Sequence, residues 1–354
     1  MAGEAPECTV RAAALAAFGE EPYDLERLSG GMNNILYSFW HGGSRLVAKL
    51  YFRHPSDPRD RLTTEFTVLR FLWHRGTYCV PEPVAASQEH GVGFYGFVDG
   101  RRCDADDVRY EDVEEYLLFT RRMWEHSASV VEQDLPSASD AAFSLADRLQ
   151  SVAARLEWLS NSIAPVYEEA RGFLEHRAAP VLDQVCQWAD MTAAQVGVHL
   201  EEVVPARDRA LSQGDIGLHN CLRTSKGLVF HDFEYSGWDD IAQVAVQVCL
   251  APAVPVPTQM HSWVLGQLLD QSGSDDFLAL RARVNYPLLA LKWSLIMLNE
   301  FVDVGRERRA FAGAPVQGRL VTQLAKANKM LTVAAGAMRA GPVVPHPQAF
   351  DQES

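Results

Sequence analysis

The 354-residue sequence lacks an excess of basic residues: 32 Lys and Arg stand against 46 Asp and Glu, which gives a net charge of −14. Proteins that bind nucleic acids through the phosphate backbone need a basic surface, so this class of function is not indicated. An acidic chain can still bind a phosphate group through local features. Its overall field would also attract a cationic substrate.

The sequence also lacks paired cysteines, a secretory leader and a long apolar run. No two of its six cysteines form a Cys-x-x-Cys pair, so reduced thiols are expected rather than a zinc or redox motif. The N-terminal residues include acids where a secretory signal needs positive charge. The most apolar stretch, residues 286–301, contains Lys292 and is too short to span a bilayer. We therefore expect a soluble cytoplasmic protein without a membrane segment.

The first hundred residues predict a small antiparallel sheet. Residues 35–41 and 45–51 are rich in β-branched and aromatic side chains and flank Gly42-Gly43-Ser44, so they predict a β-hairpin. A glycine-rich turn, Leu28-Ser-Gly-Gly-Met-Asn-Asn34, precedes the hairpin. The other elements predicted in this part are a strand at 23–28, a helix at 60–73 and extended segments at 80–84 and 93–98.

From about residue 99 onward the pattern is mainly helical. Leu145, Leu149, Val152, Leu156 and Leu159 recur in steps of four and three, which predicts an amphipathic helix. Pro287 is predicted to open a second, strongly apolar helix that runs to residue 301. We expect three parts: residues 1–98, a sheet with one helix that covers a nucleotide; residues 99–341, a larger helical part with the catalytic loop and acceptor site; and residues 342–354, a loose tail.

One segment has the spacing of a kinase catalytic loop. In Asp215-Ile-Gly-Leu-His-Asn220 an Asn follows an Asp by five residues, and in kinases such an Asp accepts the hydroxyl proton while the Asn binds a metal. Asp232 follows an apolar strand twelve residues later, where kinases carry their other magnesium ligand. Amide and carboxylate oxygens suit Mg²⁺. We therefore predict Asp215 as the catalytic residue and Asn220 and Asp232 as metal ligands.

Groups that would hold a nucleotide precede this loop in the chain. Lys49 ends Leu46-Val-Ala-Lys49, similar to the kinase strand whose Lys binds the α- and β-phosphates, and Glu65 on the next helix would pair with it. The glycine-rich turn, with Gly30, Gly31 and Asn33, would bring backbone N–H groups to the phosphates. Phe97 and Val98 form the expected hinge that holds the adenine. Each feature alone is more often a plain turn or a surface ion pair, and only the ordered set indicates phosphoryl transfer.

The tracts Gln213-Gly-Asp-Ile-Gly-Leu-His-Asn220 and Val229-Phe-His-Asp-Phe-Glu-Tyr-Ser-Gly-Trp-Asp-Asp240 resemble the catalytic loop and metal segment of the aminoglycoside phosphotransferase and choline kinase family. Residues 291–301 resemble a C-terminal helix of a bacterial branch of that family. The resemblance covers about residues 23–305. It implies an α+β, two-lobed protein-kinase-like fold, with a small antiparallel-sheet N-lobe and a larger, mainly helical C-lobe. It also implies ATP, with GTP as an alternative, Mg²⁺, and a small molecule with a hydroxyl group as acceptor.

The sequence departs from the family pattern at several positions. Gln213 stands where the family usually has His, and we expect it to brace the loop through hydrogen bonds. His219 would either face the substrate or brace the loop, and we favour bracing. Gln247 stands near the place where many members have a further Asp. These changes bear on rate and substrate more than on phosphate chemistry.

Four further features stay open at this stage. Glu234 would ligate a metal through water or cap the loop, and Trp238 would form a substrate wall or pack in the core. Asp239 and Asp240 are expected to cap the following helix. The acidic run at residues 104–115 would attract a cation, although a solvated helix face is the commoner interpretation.

The sequence therefore predicts an ATP-dependent phosphotransferase that acts on an aminoglycoside-like antibiotic, sugar, nucleoside or amino alcohol. The alternative is a nucleotide-binding pseudokinase that serves as scaffold or sensor, an idea motivated by Gln213 and Gln247. A protein kinase is disfavoured because Asp-Phe-Gly and Ala-Pro-Glu motifs are missing. Neither the acceptor nor the oligomeric state follows from the sequence.

Overall fold

The computed structural model describes residues 5–29, 33–128, 135–269, 276–313 and 318–340. The N-terminal part holds an antiparallel sheet with the strand order β1-β2-β3-β5-β4. The five strands are β1 (Tyr23–Arg27), β2 (Ile35–His41), β3 (Ser44–Leu50), β4 (Pro83–Ser87) and β5 (Val92–Gly96). The predicted hairpin is confirmed: β2 pairs with β3 from Ile35 opposite Leu50 to His41 opposite Ser44.

Two helices flank this sheet, α1 (Pro6–Phe18) and α2 (Arg61–His74). The expectation of one helix in residues 1–98 was wrong because α1 buries mainly small residues, such as Ala13 and Ala14, and so has little apolar periodicity. Its end signals are nonetheless present in the sequence. Pro6 stands at the first helical position, and Gly19 follows the helix with a left-handed φ of 78°.

The rest of the chain is mainly helical and carries two small sheets. Strands β7 (Arg209–Ser212) and β10 (Gly237–Asp240) form one, and β6 (Arg101–Arg102), β8 (Cys221–Thr224) and β9 (Gly227–Phe230) form the other. The helices of this part are α3 (Tyr110–Ser127), α4 (Leu145–Ser162), α5 (Glu168–Phe173), α6 (Ala179–Gln195), α7 (Ile241–Leu250), α8 (His261–Leu269), α9 (Asp276–Ile296), α10 (Asp303–Ala312) and α11 (Arg319–Ala340). None of the described helices combines the length and apolar character that a bilayer span requires.

Two sequence predictions for this part have different outcomes. The amphipathic helix at 145–159 is present as α4. Pro287 does not open a helix but lies inside α9, where it removes one backbone hydrogen bond. Nearly every side chain around it is buried, so packing on all sides offsets the lost bond. The predicted tail at 342–354 lies outside the described residues.

A buried ion network stabilises the start of α7, the helix that directly follows β10. The Arg281 side chain is fully buried and donates to Asp208, at 2.8 Å, and to Asp240, at 3.1 Å. Asp240 also caps α7, as predicted, by accepting a hydrogen bond from the Ala242 N–H. Asp239 does not cap the helix as expected, because its carboxylate accepts a hydrogen bond from the Gln243 side chain. Burial raises the pKa of Asp239 to about 7.

We predict that Arg281→Met lowers the free energy of unfolding by about 3–5 kcal/mol, because it leaves two buried carboxylates without their cation. Arg11→Met is the matched control: Arg11 pairs with Glu7 on the exposed face of α1, where an ion pair contributes about 0.5 kcal/mol or less. Urea unfolding followed by tryptophan fluorescence measures both. Equal losses for the two variants would contradict the structural role of Arg281.

Candidate active site

The candidate catalytic loop connects β7 to β8 and contains Asp215 and Asn220. Gly214 has a φ of 83°, and a Cβ at this position would lie 2.3 Å from the Tyr235 carbonyl oxygen. Only glycine therefore lets the loop lie against the Tyr235 backbone. The Asn220 side-chain amide donates to the Asp215 carbonyl at 2.9 Å, which closes the loop on itself.

Hydrogen bonds from two sides brace this loop. The Gln213 side chain donates to the His231 carbonyl at 2.5 Å and accepts from the Tyr116 hydroxyl at 3.0 Å. The same hydroxyl accepts from the Gly217 N–H at 3.0 Å. Gln213 thus braces the loop, as expected. Sequence reasoning missed Tyr116, which belongs to the apolar period of α3 and has no local mark of its role.

His219 lies beside Asp215, with its Nε2 atom 3.5 Å from the Asp215 Oδ1. Burial alone would raise the pKa of Asp215, but the charge of His219, with hydrogen bonds from His219 and Asn220, lowers it below its ordinary value. Burial alone would lower the pKa of His219, but Asp215 outweighs burial and raises it. Asp215 is therefore held as a carboxylate, the form that accepts a proton.

Lys49 on β3 lies among three acids, of which Glu65 and Glu234 are buried and Asp232 is half-buried. Its Nζ atom is 2.6 Å from both Glu65 Oε2 and Asp232 Oδ1, and 3.7 Å from Glu234 Oε2. Burial alone would lower the pKa of Lys49, yet the three carboxylates raise it well above its ordinary value. The expected pair of Lys49 with Glu65 thus forms, and Asp232 joins it.

Asp232 and Asn220 come together through the backbone. The His231 N–H donates to the Asn220 carbonyl at 2.9 Å. The next residue, Asp232, has a left-handed φ of 67°. This backbone conformation is strained for any residue other than glycine. One carboxylate oxygen each of Glu65, Asp232 and Glu234 lies within 4.8 Å of the others. Carboxylate and amide oxygens are the donors that Mg²⁺ prefers, so Asp232 and Asn220 fit the ion by chemical type, while Glu65 and Glu234 also neutralise Lys49.

Glu234 connects the metal segment to the N-terminal sheet. Its Oε2 accepts a hydrogen bond from the Asn34 side chain at 2.6 Å, and Asn34 in turn accepts from the Phe52 N–H at 3.2 Å. Arg61 lies 3.7 Å from the other carboxylate oxygen. The structure therefore shows Glu234 holding a loop. Sequence reasoning missed Asn34 and Arg61, because their partner is about 200 residues away along the chain.

The other predicted nucleotide contacts are residues that precede β2 and residues that follow β5. Gly30 and Gly31 lie outside the described residues. Asn33 accepts a hydrogen bond from Arg309 of α10 at 2.6 Å. Phe97 and Val98 follow β5, and the Phe97 N–H already donates to the Arg45 carbonyl at 3.1 Å. Any contact of Phe97 with a base would therefore use its carbonyl.

Two features that the sequence left open, Trp238 and the acidic run, have structural roles. Trp238 is 5% exposed and packs in the core, so it is not a substrate wall. In the acidic run, Asp107 and Asp112 accept hydrogen bonds from Arg223, at 2.7 Å and 2.9 Å. These two acids hold β8 against the start of α3.

A family model described as the phosphotransferase enzyme family, APH, matches residues 24–253, which is more than half of the chain. The chain belongs to the APH phosphotransferase enzyme family. The resemblance seen in the sequence is thereby confirmed. No curated protein matches this APH-family sequence significantly.

Solved structures of similar fold cover nearly the whole APH-family chain. A spectinomycin phosphotransferase, in complex with ADP and spectinomycin, has a TM-score of 0.62 and 11% identity, and the match covers 96% of this chain and 99% of that one. A choline/ethanolamine kinase family protein from Mesorhizobium loti has a TM-score of 0.58 and 16% identity, and the match covers 95% of this chain and 98% of that one. A choline kinase from Streptococcus pneumoniae has a TM-score of 0.54 and 18% identity over 88% and 94%. The predicted two-lobed, kinase-like α+β fold is confirmed.

The APH-family chain offers a direct test of the pair formed by His219 and Asp215. We predict that His219→Asn raises the pKa of Asp215, because burial is then no longer opposed by the imidazolium. A ¹³C-carboxyl NMR titration, assigned with Asp215→Asn, measures the shift. His176→Asn, at an exposed position, is the control. An unchanged Asp215 titration in His219→Asn would contradict the pairing.

The same pair predicts a pH window of stability. A raised pKa of His219 in the folded state contributes stability below its ordinary pKa of about 6.5, and this contribution is lost as pH rises through the raised value. The lowered pKa of Asp215 contributes stability above about 3.9 that is lost as pH falls. The stability difference between wild type and His219→Asn should therefore be largest between about pH 4 and pH 6.5.

Proposed function

We propose that this protein is an ATP-dependent kinase that transfers the γ-phosphoryl group to a hydroxyl of a small molecule. The observation that carries the proposal is the position of Lys49, whose ammonium lies 2.6 Å from both Glu65 and Asp232. This contact joins β3, the strand that would bind the phosphates, to the segment after β9 that would bind the metal. The braced carboxylate of Asp215 lies in the adjoining loop.

In this proposal Asp215 orients the acceptor hydroxyl and accepts its proton. The hydroxyl oxygen forms a bond to the γ-phosphorus as the bond from that phosphorus to the β–γ bridging oxygen breaks, and ADP leaves. Asn220 and Asp232 would hold Mg²⁺, which supplies neutralisation of the phosphate charge. Lys49, kept in place by Glu65, would bind the α- and β-phosphates, because kinases use a strand lysine in this way.

The turn with Gly30, Gly31 and Asn33 would cover the phosphates, and the hinge at Phe97 and Val98 would hold the base. The spectinomycin phosphotransferase of similar fold was crystallised with ADP, which supports a nucleotide as donor. Recognition of the base by backbone groups at the hinge would be compatible with ATP or with GTP. The acceptors of the similar structures are spectinomycin and choline or ethanolamine by name, so a small hydroxyl compound is the acceptor class that we propose here.

The pseudokinase alternative loses its main motivation. Gln213 makes both hydrogen bonds that the loop needs, so its presence is no sign of a decayed site. Gln247 is buried in α7 and belongs to the core of the helical part.

We expect Asp215→Ala to reduce phosphoryl transfer by roughly 10²–10⁴-fold, because a positioned base contributes about that much. Nucleotide binding should stay within about threefold of wild type, since the carboxylate is assigned to the acceptor and not to ATP. The assay offers γ-³²P-labelled ATP or GTP and Mg²⁺ to spectinomycin, choline, ethanolamine, sugars and nucleosides.

Asp190→Ala on the exposed face of α6 is the control for the assay and should transfer as wild type does. Equal transfer by wild type and Asp215→Ala would overturn the assignment of the base. Nucleotide binding without transfer to any acceptor would favour the scaffold or sensor instead.

The metal assignment has its own test. We expect Asp232→Asn to weaken the Mg²⁺ dependence of nucleotide binding, because the amide loses the charge that attracts the ion. Calorimetric titration with ADP at several Mg²⁺ concentrations measures this. The control is Asp303→Asn at an exposed position of α10. A Mg²⁺ dependence equal to that of wild type would contradict the assignment.

A further inference from the structure

A cavity of about 550 Å³ lies between the N-terminal part and the helical part, and the mechanism above does not use it. One wall is the segment that connects β3 to α2, which includes Arg59. A second wall is one face of α4, with Arg155 and Trp158. The third is the start of α10, with Arg308. A volume of several hundred Å³ suits a metabolite-sized ligand.

The cavity adjoins the candidate catalytic loop through Tyr235. Ser139, which lines the cavity, donates its backbone N–H to the Tyr235 carbonyl at 3.0 Å, and Arg308 donates to the Tyr235 hydroxyl at 3.3 Å. Gly214, next to Asp215, packs on the Tyr235 backbone. The charge of Asp140, another lining residue, acts on Asp215 and opposes the lowering of its pKa. The cavity is therefore connected to the candidate catalytic loop through Tyr235 and Gly214, although Asp215 itself is not one of its lining residues.

The two carboxylates that line the cavity already have cations. Asp57 pairs with Arg59 and Arg61, and these cations lower the pKa of Asp57 to about 2 although burial opposes them. Asp140 pairs with Lys292 at 3.0 Å, and its pKa is about 2 for the same reason. Neither carboxylate is left to attract a cationic ligand.

In the described part of the chain, the printed side-chain hydrogen bonds of Arg155 and Arg308 go to neutral groups, and Asp140, the acid that acts on Arg155, is itself paired with Lys292. Arg155 donates to the Asn299 side-chain oxygen at 3.4 Å, and Arg308 donates to the Tyr235 hydroxyl. Burial lowers the pKa of Arg155, and the nearby charges of Arg59 and Arg308 lower it further against the pull of Asp140. Guanidinium groups that face one another are stabilised by an anion between them, and Arg binds carboxylate and phosphate in a bidentate manner.

We propose that this cavity binds the acceptor, and that the acceptor carries an anionic group, a carboxylate or a phosphate, that Arg155 and Arg308 hold. The acceptor hydroxyl would then reach Asp215, and the Trp158 ring, which is 42% exposed, would cover the apolar part of the ligand. This inference rests on the proposed kinase function. It departs from the cationic acceptor that the net charge of −14 favours, because local charges decide binding at contact distance.

The first experiment measures anion binding and does not depend on catalysis. Inorganic phosphate and acetate are titrated into the ADP- and Mg²⁺-saturated protein by calorimetry, which keeps the nucleotide site filled and separates the phosphate source from the carboxylate source. We expect one of the two anions to bind, and Arg155→Gln and Arg308→Gln to weaken its binding at least tenfold.

Arg306→Gln is the matched control, because Arg306 lies on α10 with Arg308 but pairs with the exposed Asp303. Unfolding midpoints of all three variants show whether the fold is kept. Absence of binding by both anions, or equal binding in wild type, Arg155→Gln and Arg308→Gln, would overturn the proposal.

The second experiment compares acceptors in matched pairs: glycerate with glycerol, and ribose 5-phosphate with ribose, beside choline and spectinomycin. We expect the anionic member of a pair to be the better acceptor, with a KM that rises at least tenfold in Arg155→Gln while kcat changes little. Preferred phosphorylation of choline, spectinomycin or a neutral member would overturn the anionic acceptor and leave the kinase standing. Anion binding that depends on the two arginines, without transfer to any acceptor, would support the cavity and count against the kinase.

Discussion

The candidate site depends on the ammonium of Lys49, which lies among the buried carboxylates of Glu65 and Glu234 and the half-buried carboxylate of Asp232. The lysine belongs to the sheet, Glu65 to α2, and the other two acids to the segment after β9. Buried carboxylates without a cation are strongly destabilising, and so is a buried ammonium without an acid. Charge therefore holds the sheet, α2 and the helical part in one arrangement, in addition to apolar packing.

A second layer of contacts around the catalytic loop is largely neutral. Tyr116 and Gln213 connect α3 to the loop and to the metal segment through hydrogen bonds. An amide at position 213 can donate on one side and accept on the other, as the usual imidazole of the family also can. Neutral braces fix the loop without placing another charge beside Asp215. His219 then supplies the charge that lowers the pKa of Asp215, against burial and the charge of Asp140.

Local sequence signals predicted the elements that depend on few neighbours. The hairpin follows from β-branched residues around a glycine turn, and the loop from the spacing of Asp215 and Asn220. Helix α1 was missed because alanines give little periodicity, and Pro287 was misassigned because burial outweighs a proline's preference for the first turn. The contacts of Tyr116 and Asn34 join residues about 100 to 200 positions apart, and no local pattern marks such pairs.

By itself the sequence determined which candidate side chains for phosphoryl transfer are present and in which order they come, because the kinase-like loop sets their spacing over a few residues. The tertiary structure alone decided how they meet: Lys49 contacts Asp232 only after the sheet has packed on the helical part. It also decided the charge of the cavity. Arg155 and Arg308 lie on α4 and α10, in an acidic chain, and their shared cavity exists only because packing brings those two helices together beside Tyr235.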